Sequence, residues 1–79
     1  MRARTKLPAD LQGLTSSEWG LICEQGLGRE DREIVRLHIL DRLPQIDTAI
    51  ELDISPSTVS RRLEQIYNRA RTVRGKLNI

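Results

Sequence analysis

The sequence predicts an all-α fold, a compact four- to five-helix domain containing a helix–turn–helix. Three observations carry this. The stretch from Leu43 to Leu63 reads as two helices joined by a tight turn. Apolar residues elsewhere fall at i, i+3, i+4 spacing, as in Trp19, Ile22 and Cys23. Two helix starts are written in cap chemistry, Thr15-Ser-Ser-Glu18 and Ser55-Pro56. The chain of 79 residues suffices for one domain and one core. With no Phe, one Trp and one Tyr, that core is built mainly of Leu, Ile and Val.

The elements follow in order. Residues 1–13 contain Pro8 and Gly13 and show little periodicity, so they form an arm, flexible or packed over the domain. Arg2, Arg4 and Lys6 place charge there for phosphate contacts. The capping box at Thr15 and Glu18 starts a helix over about 16–25, with Leu14 as a hydrophobic staple. Gly26 and Gly28 are expected to end it. A second helix over about 29–41 opens with Glu30, Asp31 and Glu33, which complement the positive end of its dipole. Its Ile34, Val35, Leu37 and Ile39 face more than one side, as suits a helix gripped by several others. Pro44 fits the first position of a third helix, about 44–52, in which Thr48, Ala49 and Leu52 share a face. Asp53-Ile54-Ser55 is the turn, and Asp53 would need a left-handed backbone if it sits where this turn commonly has glycine. The last helix spans about 56–74, capped by Ser55, with Pro56 at its first position and Gly75 as its stop. Val59, Leu63, Ile66 and Ala70 form its buried seam. Residues 14–75 thus make a single domain, and 76–79 a short tail.

Composition excludes several chemistries. Cys23 is the only cysteine and His38 the only histidine, so neither a disulfide within the chain nor a zinc motif can be assembled. Both read as packing residues. No glycine-rich phosphate loop and no paired acids in a plausible pocket are present, so no catalytic residue, cofactor or metal is expected and the chain is not read as an enzyme. No apolar run approaches the roughly 20 residues of a membrane span, and no signal-peptide core follows the basic start. A cytosolic protein with no membrane partner is expected.

The net charge of +2 conceals an asymmetry. Arg61, Arg62, Arg69, Arg71, Arg74 and Lys76 crowd the last helix, whereas most acids lie between Glu18 and Asp53. A basic face of this kind suits a polyanion, and an ordinary solvated helix face would look the same. With the seam turned inward, the 100-degree helical step turns Ser57, Ser60, Arg61 and Glu64 outward. In a major groove, Ser57, Ser60 and Arg61 would read base edges, and Arg61 can pair with both acceptors of a guanine. Thr58 and Arg62 would flank them near the phosphates, with Gln65 one turn deeper. Gln45 at the third helix N-terminus would clamp phosphate through its backbone, helped by Arg42. Arg69, Arg71 and Arg74 would raise affinity and salt sensitivity.

The segment of about 28–70 resembles region four of bacterial sigma factors, and nearly as much the LuxR-type output domains. The residues that carry this are Arg29-Glu-Asp-Arg-Glu-Ile-Val-Arg-Leu37, the spacing of Gln45, Ala49 and Leu52, and Ile54-Ser-Pro-Ser-Thr-Val-Ser-Arg-Arg-Leu63. The resemblance implies a multi-helix domain whose last helix enters promoter DNA, with contacts at Pro56, Ser57, Ser60 and Arg61 and with Gln45 near phosphate. Asp53 departs from the usual turn glycine, Thr48 from a bulky aliphatic, and Ile46 and Ile50 from polar residues. Coverage of those isoleucines by the first helix or the arm is the favoured expectation. The alternative is a contact with a second subunit or another protein. The function expected is therefore a regulator that binds double-stranded DNA, as a homodimer if the small core needs support, and of phage or mobile-element type. The alternative is a sigma-shaped interaction module that binds RNA polymerase or another regulator.

Overall fold

The Thr15 hydroxyl begins the first helix. It accepts from the Glu18 amide at 3.1 Å, and the Glu18 carboxylate accepts from the Thr15 amide at 2.9 Å, so the capping box closes in both directions. In the computed structural model, which describes residues 7–78, helix α1 then spans Ser16–Gly26. Helix α2 covers Arg29–Ile34 and continues as a widened turn over Val35–Leu40. Helix α3 is Gln45–Leu52 and α4 is Pro56–Leu77. A short 3₁₀ turn, Ala9–Leu11, precedes them. The described residues contain four helices and no strand. Their radius of gyration, 11.9 Å, matches the roughly 12 Å of a compact domain this long.

The core is the seam of α4 with what closes over it. Val59, Leu63, Ile66, Ala70 and Val73 are buried and meet Trp19 and Ile22 of α1, Ile34 of α2, Val35 of the widened turn, and Ala49 of α3. Ala49 and Thr48 give α3 a slim inner face against α4. Thr48 is fully buried, and its hydroxyl has no hydrogen-bond partner among the described residues. Such an orphan costs about 1–3 kcal/mol.

Several boundaries differ from the sequence expectation. No glycine ends α1 in a left-handed conformation. Leu27 is the extended C-cap, and the Arg32 side chain donates from Nε to the carbonyls of Cys23 and Leu27. Gly28 instead precedes α2 as its N-cap. The plain second helix expected to Asp41 opens out after Ile34. The Asp41 amide there reaches back five residues to Arg36, and the Leu43 amide six residues to Leu37. Widening lets Val35, Leu37, His38 and Ile39 all turn inward, which a regular helix face cannot do. His38 Nδ1 lies 2.7 Å from the Leu43 carbonyl, which can only accept, so this nitrogen carries the proton. Arg42 then leaves α2 with a left-handed backbone, φ 64°. Pro44 is the N-cap of α3 and not its first helical residue. Gly75 does not stop α4, which runs three residues past Arg74 to a left-handed Asn78.

Residues 7–13 are part of the packed domain. Leu11 is buried in the core, and Asp10 binds α4 through Arg71 (2.7 Å) and Arg74 (3.8 Å). The Arg71 hydrogen bond holds the Asp10 carboxyl below its ordinary range. Arg2, Arg4 and Lys6 lie outside the described residues.

Two glycines of α1 make a matched test. A Cβ on Gly26 would come within 2.6 Å of Val73 Cγ2, a buried methyl with nowhere to go, whereas one on Gly20 would meet nothing within 4 Å. Gly26→Ala is therefore expected to destabilise by about 1–3 kcal/mol. Gly20→Ala should stabilise by about 0.5–1 kcal/mol through helix propensity. Urea denaturation of both variants decides the point, and changes of the same sign would show that α1 and α4 do not meet at Gly26.

Candidate nucleic-acid interface

Helix α3 is joined to α4 by a turn of three residues. Asp53 takes the left-handed conformation (φ 59°, ψ 44°) expected of it in the place where such a turn commonly has glycine, and its amide closes onto Ile50 at 3.2 Å. Ser55 then caps α4. Its hydroxyl accepts from the Thr58 amide at 3.2 Å, and Pro56 occupies the first helical turn, where no donor is needed. The result is a long helix, about 33 Å by its 22 residues, lying on α3 at its N-terminal end.

The outer side of that end carries the three residues assigned to base reading. Ser57, Ser60 and Arg61 are all exposed. Their chemistry differs. Ser57 Oγ shares a 3.1 Å hydrogen bond with the capping hydroxyl of Ser55. Ser60 Oγ donates to Gln45 Oε1 at 2.6 Å, which leaves its oxygen as an acceptor for an incoming donor. Arg61 makes no hydrogen bond or ion pair among the described residues, so its five donors stay available. The Ser60–Gln45 bond also ties the start of α3 to α4. Gln45 thus sits beside Ser60 with the unbonded amides of the first turn of α3 next to it, since Pro44 offers no side-chain cap.

The flanking residues divide. Pro56, Gln65 and Arg69 are exposed, and Gln65 and Arg69 lie further along α4. Thr58 is half-buried, with Oγ1 2.8 Å from Ser55 Oγ. Arg42 is exposed and has no partner among the described residues. Arg62 behaves otherwise. Its guanidinium bridges Glu30 at 2.7 Å and Asp31 at 3.0 Å, with 35% of the side chain exposed. The adjacent arginines therefore have opposite fates, Arg61 outward and uncommitted, Arg62 turned back onto the first turn of α2. Arg71 and Arg74 are likewise engaged with Asp10. Of the six basic residues on α4, the pairs leave Arg61, Arg69 and Lys76 without an acidic partner among the described residues. These pairings join residues far apart in sequence, so the charge asymmetry could not reveal them.

Ile46 and Ile50 stand at 62% and 71% exposure. Coverage by α1 or the arm, the favoured expectation, is not found among the described residues, because α1 packs against α4 and leaves the outer face of α3 open; residues 1–6 of the arm lie outside the described residues.

Little else competes as a site. A pocket of about 240 Å³ between α2 and the turn is floored by Ile34, Leu52 and Ile54. Two wider, more open hollows lie along α4, about 380 Å³ at Glu64, Tyr67, Asn68 and Arg71 and about 300 Å³ at Gln65, Asn68, Arg69 and Thr72, neither of them enclosed by apolar side chains as ligand pockets are. Burial raises the pKa of the half-buried Cys23 thiol, which keeps it protonated and unreactive. Among the described residues no group of three or more His, Cys, Asp or Glu is placed to hold a metal, and no helix is long and apolar enough to cross a membrane. No protein-family model, no curated protein and no solved structure matches this chain.

Proposed function

We propose that this chain is a DNA-binding protein of the transcription-regulator kind, which lays the N-terminal turns of α4 in the major groove. One observation carries the reading. A capped helix presents Ser57, Ser60 and an unpaired Arg61 on its solvent side, and it is braced by a second helix across a tight turn. Arg61 would read a guanine through O6 and N7, and Ser60, its proton committed to Gln45, would accept from an exocyclic amine. Gln45 and Arg42 would meet the phosphates on one side, and Arg69 on the other. The likeness of residues 28–70 to sigma region four points the same way.

Selection from a random duplex pool, run at two salt concentrations, tests this. A consensus site is expected, together with affinity that falls as salt rises. On that site Arg61→Ala should cost about 1–3 kcal/mol, measured by fluorescence anisotropy, and relax the preference at one base pair. Full affinity in this variant would remove Arg61 from the reading role. Salt-insensitive or absent duplex binding would sink the function itself.

The exposure of Ile46 and Ile50 favours a second reading, an interaction module that engages RNA polymerase or another regulator. Retention of polymerase on the immobilised chain, without duplex binding, would select it.

A further inference from the structure

Helix α3 has two faces of opposite character. Thr48 and Ala49 are buried against the core, and Leu52 is packed on it. Ile46, Asp47, Ile50 and Glu51 are all exposed. At 100 degrees per residue, Ile46 and Ile50 form one row along the helix, and Asp47 and Glu51 form a second row directly beside it. The helix contains no basic residue. Among the described residues Ile46 and Ile50 are also the two most exposed of the large hydrophobic side chains.

We propose that this outer face of α3 docks a basic amphipathic helix of a partner protein, with its apolar side on Ile46 and Ile50 and its Lys or Arg side chains along Asp47 and Glu51. The charges discriminate among occupants. A duplex is disfavoured, because its phosphates would meet two carboxylates, and the cation beside Glu51, Arg36, is already held by Glu33 and Asp41. A second copy docked face to face would set two acids and no base of one α3 against the same set in the other. A helix with an apolar stripe bordered by positive charge satisfies both rows, by the helix-in-groove mode of recognition. The inference concerns α3 and not the groove-facing side of α4, so it stands apart from the DNA reading. The α3–α4 contact and the Ser60–Gln45 bond nevertheless place the docked helix one layer from Arg61.

The probe is a synthetic amphipathic helix with leucines on one side flanked by lysines, titrated into the isotope-labelled full chain and followed by amide chemical shifts. A matched peptide with glutamates replacing the lysines serves as control. Shifts confined to α3 and its immediate neighbours are expected for the lysine peptide, with far weaker binding of the glutamate peptide. The double variant I46S/I50S should bind at least about tenfold more weakly. The double variant D47K/E51K should reverse the preference between the two peptides. Because all four side chains are exposed, unchanged melting temperatures establish that each variant is folded. Absent binding, shifts centred away from α3, or equal binding of both peptides would overturn the proposal. So would a wild-type dimer in sedimentation equilibrium that I46S/I50S dissolves, since the occupant would then be a second copy.

Discussion

Trp19→Ala should lose about 3–5 kcal/mol of folding stability, the cost of a large aromatic cavity in a core. Trp19 is 1% exposed and is the largest fully buried side chain. It sits where α1 crosses the seam of α4, in the middle of the core cluster. A domain of this length has roughly 4–12 kcal/mol in all, at 0.05–0.15 kcal/mol per residue. The substitution therefore removes a large share of the whole. Each kcal/mol moves the midpoint by about 4–8 °C in a domain this small. Thermal melts followed by far-UV circular dichroism should show a collapse of the midpoint or no cooperative transition. A midpoint within a few degrees of the parent would mean that α1 is not part of the cooperative core.

Leu11→Ala is expected to cost about 2–5 kcal/mol, although the residue lies in a segment that reads as an arm. The side chain is wholly buried, in a 3₁₀ turn fastened to α4 by Asp10. Leu21→Ala, at an exposed position on α1, is the control and should change stability by no more than about 0.5 kcal/mol. Equal effects would show that residues 7–13 are an appendage. The fastening has a pH signature. The Arg71 hydrogen bond depresses the folded-state pKa of Asp10, so its contribution is present above the unfolded value of about 3.9 and is lost as pH falls through the folded value. The difference in melting temperature between the parent and Asp10→Asn should therefore be constant at neutral pH and vanish in acid. A difference that persists at low pH would assign the effect to something other than the carboxylate charge.

Local chemistry was legible in the sequence. The capping box at Thr15, the Ser55-Pro56 start, the left-handed Asp53 and the α4 seam each depend on residues within a few positions of one another, and all four stand as read. The outward placement of Ser57, Ser60 and Arg61 follows from the seam by helical geometry. What the sequence hid was non-local or cooperative. The widened turn at Val35–Leu40 arises because four of five successive positions, Val35, Leu37, His38 and Ile39, turn inward and are filled from several directions, which a single period cannot express. Arg62, Arg71 and Arg74 look alike on paper, and only the fold brings Glu30, Asp31 and Asp10 to them. Gly75 was a plausible stop by composition, yet Leu77 packs on the core and carries α4 beyond it.

The Asp10–Arg71 contact spans 61 positions of the chain. Closing so large a loop forfeits more chain entropy than forming any helix or the α3–α4 corner, so the 3₁₀ turn is expected to dock last during folding and detach first during breathing. In hydrogen exchange the amides of residues 9–12 should then open by a sub-global route, well below the free energy that protects Leu63 and Ile66. Transient undocking of this kind would bare the far end of α4, and with it Arg71 and Arg74, while the half of the helix that bears Arg61 stays folded.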